Sequence, residues 1–274
     1  MRLELRSIRR MLVVGLMVNM SALPTLSADR ATTASQELSD TVSSLQDSPQ
    51  GMTSEELFAK LLEHNRLRDL RLEQYSAVRT YEAKNNAGKL HAQETVVVSY
   101  RAPDMKTFKT TSEEGSWIIR TLVFKRLMES EAESASGQQH RDSSLKPANY
   151  TFHLIGEQDI GPYHCIVAEA VPKRKDKYLF EGRIWIDVQD FAVVRIAGHP
   201  AKKLSFWINR AEFVRQYQKI GEFWVPCKDQ TFVDMKLYGK KVLTIDHRNY
   251  TINGSKAGDE QAQDFTRGGQ VAVR

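Results

Sequence analysis

Residues 180–203 read FEGRIWIDVQDFAVVRIAGHPAKK, and the reading of this stretch decides the fold. Ile184-Trp185-Ile186 and Ala192-Val193-Val194-Arg195-Ile196 are β-branched and aromatic arms of strand length. Between them, Asp187-Val188-Gln189-Asp190 supplies acceptor side chains that bond their own backbone and tolerate turn angles. The alternative is a catalytic cluster of Asp187, Asp190 and His199, with Lys202 or Lys203. The spacing argues against it, because a hairpin turn accounts for both aspartates without a substrate.

The same pattern repeats on both sides. Downstream, strands are predicted at 206–220, 223–237 and 240–252, punctuated by Gly221-Glu222 and Tyr238-Gly239. Upstream, 150–160 and 163–172 are strands joined at Gly161-Pro162, and the basic loop Lys173-Arg174-Lys175-Asp176-Lys177 leads into 178–187. That loop reads as a solvated hairpin tip that resists edge pairing, or as a contact for anionic headgroups or an acidic partner. Nearer the N-terminus, 74–84, 91–103 and 104–113 form three more strands, separated by Asn85-Asn86-Ala87-Gly88 and Ala102-Pro103-Asp104.

Two helices precede or interrupt the strands. Thr53-Ser54-Glu55-Glu56 is a helix start, with a hydroxyl cap and acidic residues at the positive end of the dipole. Leu57, Phe58, Leu61 and Leu62 then recur at helical spacing as far as about Leu70. A second helix is expected from Trp117 to about Glu133, with Ile118, Ile119, Leu122, Val123, Leu127 and Met128 on one broad side. The polar stretch 130–144 is read as a mobile loop.

Some ten strands with two early helices predict a mainly β (α+β) fold. A sheet this large curls, giving a curved antiparallel sheet that forms an incomplete β-barrel. Two amphipathic helices cap its concave face.

The chain has 274 residues, 41% apolar and 27% charged, which suffices for one large domain with tails. Residues 1–28 read as an export signal: basic MRLELRSIRR, apolar MLVVGLMVNMSALPTL, and a cleavage site near Ala28. The apolar run is short for a membrane span, although an uncleaved anchor stays open. Residues 29–52 are a polar, disordered leader and 253–274 a disordered tail, so the domain is 53–252. The first 28 residues hold four arginines and one glutamate, so cleavage reduces the formal charge from +5 to +2. Nucleic-acid binding, which needs a dense cationic stripe, loses its support.

Cys165 and Cys227 could pair in an exported protein, and their separation is not readable from the sequence. The seven histidines are scattered, with no CxxC, HExxH or close His pair to hold a metal. There is no GxSxG elbow, P-loop or GxGxxG after a strand. No catalytic residue, metal or cofactor is expected, and a hydrolase is the weakest of the readings.

Pro172-Lys173-Arg174-Lys175, Glu181-Gly182-Arg183-Ile184-Trp185-Ile186-Asp187, Asp190-Phe191-Ala192-Val193-Val194-Arg195-Ile196, Gly198, Pro200-Ala201-Lys202, Phe206-Trp207 and Gly221-Glu222-Phe223-Trp224-Val225-Pro226 carry a resemblance. Together they resemble bacterial outer-membrane lipoprotein-sorting proteins, the LolA/LolB/RseB-like superfamily. The likeness is clearest over 150–250, and 53–111 is compatible with it. It implies an unclosed barrel capped by helices, with an apolar cavity that takes up the acyl chains of lipoproteins or lipids, and no catalytic residues. The implied role is that of a periplasmic, monomeric carrier or chaperone that helps transport lipoproteins toward the outer membrane, meeting inner- or outer-membrane transfer proteins. The alternative within the resemblance is an envelope sensor of the RseB kind that binds a membrane-protein partner. Alternation and helical spacing nominate Val96, Val98, Tyr100, Ile184, Ile186, Val194 and Ile196, with Leu122 and Leu127, as lipid-binding cavity residues; ordinary core packing is the other reading of each.

Overall fold

The computed structural model describes residues 51–134, 145–176, 178–204, 206 and 208–256. The expected signal, the start of the leader, most of the 130–144 loop and the tail beyond 256 lie outside the described residues.

Helix α1 (Ser54–Arg71) begins as its sequence requires. The Thr53 hydroxyl accepts from the Glu56 amide at 3.2 Å, and the Glu56 carboxylate accepts from the Thr53 amide at 2.9 Å. Three strands follow: β1 (Gln74–Asn85), β2 (Leu90–Arg101) and β3 (Met105–Gly115). The second helix, α2, runs in three contiguous pieces, Trp117–Ile119, a π-helical turn Arg120–Phe124, and Lys125–Ser134. The remaining strands are β4 (Tyr150–Ile160), β5 (Tyr163–Pro172), β6 (Phe180–Asp187), β7 (Ala192–Pro200), β8 (Ile208–Ile220), β9 (Phe223–Met235), β10 (Gly239–Ile252) and the short β11 (Ser255–Lys256).

All ten long strands join one antiparallel sheet in the order β3-β2-β1-β10-β9-β8-β7-β6-β5-β4. Among the described residues β3 and β4 remain as unpaired edges, so the barrel is incomplete, as expected. Among the described residues the one non-sequential pair of neighbours is β1 and β10, which pair along their length from Tyr75↔Ile252 to Asn85↔Lys241.

One register row shows which face is which. Glu94, Tyr81, Ile245, Asp229, Arg215, Ile196, Ile184 and Ala168 are successive cross-strand partners from β2 to β5. Directly opposed residues share a face, so the row lies on one side of the sheet. Both helices pack on that side, α1 toward β4–β8 and α2 toward β1, β2 and β10.

Glycine is required where β6 and β7 meet. Gly182 and Gly198 are cross-strand partners, and a Cβ on Gly182 would run into the Ala197 carbonyl and the Gly198 Cα. This close approach leaves room for Phe213, the partner of Gly198 on β8, to meet Phe180 edge-on at 5.5 Å.

Candidate functional site

The hairpin that opened the sequence reading is a hairpin in the structure, and its polar turn has a structural task. Asp187 Oδ2 accepts from the Gln189 and Asp190 amides at 3.2 and 2.8 Å. Asp190 Oδ2 binds Lys219 Nζ at 2.6 Å and accepts from Trp224 Nε1 at 2.8 Å. Arg68 of α1 donates to the Asp190 and Phe191 carbonyls, while Lys60 lies 4.8 Å from the centre of the Phe191 ring and His64 meets that ring edge-on at 5.2 Å. The turn is therefore the seat of the C-terminal half of α1. His199 lies at the other end of β7, nine residues from Asp190, which is about 30 Å along a strand. Lys202 and Lys203 lie beyond it, so the catalytic cluster is not assembled.

The helix-bearing face carries two apolar regions. In the first, Leu57, Phe58 and Leu61 of α1 cover Phe152, Ile166, Ala168, Ile184, Ile186, Val193 and Ile196, and the Phe58 and Phe152 rings stack at 3.4 Å. In the second, Val123, Phe124, Leu127 and Met128 of α2 cover Tyr81, Ala92, Val96, Val98, Leu243 and Ile245. Five expected strand positions, Val96, Val98, Ile184, Ile186 and Ile196, and Leu127 of α2 thus sit at helix–sheet contacts, fully or almost fully buried. Tyr100 is half-buried at the margin, stacked on Tyr75 at 5.3 Å.

Two positions differ from the expectation. Val194 is the extra residue of a β-bulge between β6 and β7, where Trp185 pairs with Arg195 but Ile186 pairs with Val193. The bulge breaks the period-two phase, and Val194 packs on the opposite face with Cys165, Val167 and Trp185. Leu122 lies in the π-helical turn. The added residue rotates the helix, so Phe124 is buried completely while Leu122 is half-buried outside the core and Ile118 is exposed.

A buried polar seam that the sequence reading missed crosses this face from β3 to β8. Glu131 of α2 accepts two hydrogen bonds from the Arg79 guanidinium, at 2.7 and 3.0 Å, and binds Lys106 Nζ at 2.6 Å. Two strands from Arg79, on β9, Asp229 pairs with Arg215 Nε of β8 at 2.5 Å and with His247 Nε2 of β10 at 3.1 Å. Burial opposes charge on Glu131, but Arg79 and Lys106 outweigh it and hold the carboxyl well below the usual range. Burial together with Arg79 lowers the His247 pKa, which keeps the ring neutral, and its Nδ1 and Arg79 Nε are buried without a hydrogen-bond partner. Nothing in the residue types announced this seam; its signal is parity, since Arg79, Arg215, Asp229 and His247 all fall in phase with inward-facing neighbours.

A half-open pocket of about 520 Å³ lies elsewhere. The lining residues Gln74, Ser76, Ser99, Arg101, Met105 and Thr107 alternate away from the helix-bearing face. It is a surface recess that Tyr75 and Tyr100 also border, at the margin of the region under α2.

Cys165 on β5 and Cys227 on β9 are free thiols. Three strands separate them, about 19 Å along the sheet, too far for a bridge. Burial pushes each thiol up to about 12, so neither is a reactive thiolate near neutrality. Among the described residues no group of His, Cys, Asp and Glu could hold a metal ion, and no helix is long and apolar enough to cross a membrane.

No protein-family model and no curated protein matches the chain. Solved structures do. A DUF1329 family protein from Desulfovibrio piger is 14% identical with a TM-score of 0.38, over 72% of this chain and 93% of that one. An outer membrane lipoprotein-sorting protein domain from Vibrio parahaemolyticus is 11% identical with a TM-score of 0.36, over 72% and 93%. A LolA superfamily protein from Nitrosomonas europaea is 8% identical with a TM-score of 0.31, over 66% and 86%.

Proposed function

We propose that this protein is an exported carrier that shields acyl chains of a lipoprotein or a lipid on its helix-bearing face. One observation carries the reading: the apolar face is covered by helices and not by strands. Lifting α2 would uncover Val96, Val98, Tyr81 and Ile245 without breaking any β-ladder. The covering is complete in the structure described, which is the closed form of such a carrier.

The energetics suit an acyl chain. Each methylene removed from water contributes about 0.8 kcal/mol, and the ligand would replace the contacts that Val123, Phe124, Leu127 and Met128 make in the closed form. Arg79 and Lys106, released from Glu131, would meet the polar end of an anionic amphiphile at the boundary of the apolar region. The sequence resemblance supports the same reading, and the N-terminal segment supports export to the periplasm.

Native mass spectrometry of protein purified from envelope extracts tests it. The expected result is a lipid or lipoprotein leaving with the chain, whose mature N-terminus lies near residue 29. Delipidated protein that takes up neither acyl chains nor a lipoprotein would overturn the reading. A stoichiometric membrane protein without lipid would replace it by the partner-binding one.

A further inference from the structure

The antiparallel order sorts the turns into two ends. Turns 86–89, 173–179, 201–207 and 236–238 lie at one end of the barrel, and turns 102–104, 161–162, 188–191 and 221–222 at the other. Their chemistry is opposite. Among the described residues the first set carries Lys89, Lys173, Arg174, Lys175, Lys202, Lys203 and Lys236 against Asp176, while Glu55 and Glu56 at the start of α1 and Glu113 and Glu114 at the end of β3 lie beside it. The second carries Asp104, Asp190 and Glu222 and no lysine or arginine.

The exposed aromatic rings follow the same division. Phe206 is 70% exposed, Leu237 66% and Tyr238 54%, all on turns of the basic end. Trp117 and Ile118, where α2 leaves the end of β3, are exposed there as well. At the acidic end the exposed apolar side chains are Met105, beside turn 102–104, and Leu70, near the end of α1, and no aromatic ring among the described residues is exposed there. The two kinds of group are interleaved: Lys236 Nζ stands 3.5 Å from the centre of the Phe206 ring, which joins turns 201–207 and 236–238 into one patch.

We propose that the basic end of the barrel docks on the surface of a bilayer containing anionic phospholipid. Aromatic and leucine side chains held on projecting tips cost free energy in water and are favoured at the headgroup level. Lysines around them gain from the negative surface potential and can keep their ammonium groups among the headgroups while their stems follow the apolar tips. The tips are spread over several turns, which fits a flat fluid surface better than a folded partner. The strands then stand roughly along the membrane normal, with the starts of both helices next to the lipid. The inference does not depend on the carrier reading, because docking requires no acyl chain to be taken up.

The test uses the full chain and vesicles of phosphatidylglycerol with phosphatidylethanolamine, compared with phosphatidylcholine alone. Because the N-terminal apolar run can itself partition into lipid, the readout is local: an environment-sensitive fluorophore on Leu237→Cys, with Glu222→Cys as the reference at the other end. The expected result is a blue shift at position 237 with the anionic vesicles, reversed by added salt, and none at 222. Lys202→Gln with Lys203→Gln weakens the titration at 237 about 25-fold, since each lysine near the surface is worth about a factor of five. Equal responses at both positions, no response at 237, indifference to lipid charge, or an unchanged affinity in the double variant would overturn the proposal.

Discussion

Glu131→Gln is the most direct perturbation of the contact between α2 and the sheet. The substitution preserves the shape of the side chain but removes the one charge that binds both Arg79 and Lys106, whose side chains are only 4% and 9% exposed. Removing one partner of a buried ion pair costs about 3–5 kcal/mol, because the remaining charges stay buried without compensation. For a domain of this size each kcal/mol lowers Tm by roughly 2–4 °C, so the variant should melt about 6–20 °C lower in calorimetry near neutral pH. The pH dependence supplies a second check. The folded Glu131 pKa lies well below its ordinary value; the stabilisation is therefore present above the ordinary carboxylate range and is lost as pH falls toward the folded value. Glu131→Gln should lose that acid-dependent component. Glu131→Leu combined with Arg79→Met and Lys106→Met should recover most of the loss, since an apolar replacement of a whole buried ionic group is often neutral or stabilising. A Tm within about 2 °C of the parent, or a triple variant as unstable as the single one, would refute the claim that this triad holds α2 on the sheet.

Gly182→Ala places a methyl against the Ala197 carbonyl and should cost about 1–3 kcal/mol in urea unfolding, as overpacking does. Asp187→Ala removes two acceptor bonds from its own turn and should cost about 1–2 kcal/mol in the same assay, leaving acyl-chain uptake unchanged, whereas loss of uptake at unchanged stability would return the aspartate to a functional role. The folded His247 pKa lies below 6.5, first through burial and then through Arg79, so on acidification the unfolded chain takes its proton first. Stability should therefore decline as pH falls through about 6.5, and His247→Gln should flatten that part of the profile measured by chemical denaturation.

The strands were legible because each is a run of β-branched and aromatic residues bounded by turn residues, and short turns leave an antiparallel meander as the simplest pairing. The start of α1 was legible from Thr53 and Glu56. What escaped was phase. A single added residue in β7 sends Val194 to the other face, and a single added residue in α2 exchanges Leu122 for Phe124. Neither insertion leaves a local mark, since both are settled by the neighbours against which the strand or helix packs. The polar seam escaped for a different reason. Arg79 and Glu131 are 52 residues apart, and Arg215 and Asp229 fourteen; a charged residue at an inward position reads as a surface residue until its partner is placed beside it.

The seam also constrains how the face could hold a ligand. It divides the apolar surface into a region on β1, β2 and β10 under α2 and a larger one on β4 to β8 under α1. A chain lying across the strands would cross Asp229 and Arg215 and strip a buried ion pair of its surroundings, whereas a chain lying along the strands stays within one region. Of the two covers, α1 is fixed by the Phe58–Phe152 stack and by Arg68 on the hairpin turn, while α2 adds to its apolar contacts the Glu131 ion pairs, which a ligand's own polar group could replace. The region under α2 should therefore fill first. A photoreactive fatty acid, cross-linked and mapped by peptide mass spectrometry, should label the Val96–Val98 and Phe124–Met128 peptides well before Ile184 or Ile196, and Glu131→Gln should raise that labelling. Equal labelling of both regions, or labelling confined to the side under α1, would show that α2 is not the cover that opens.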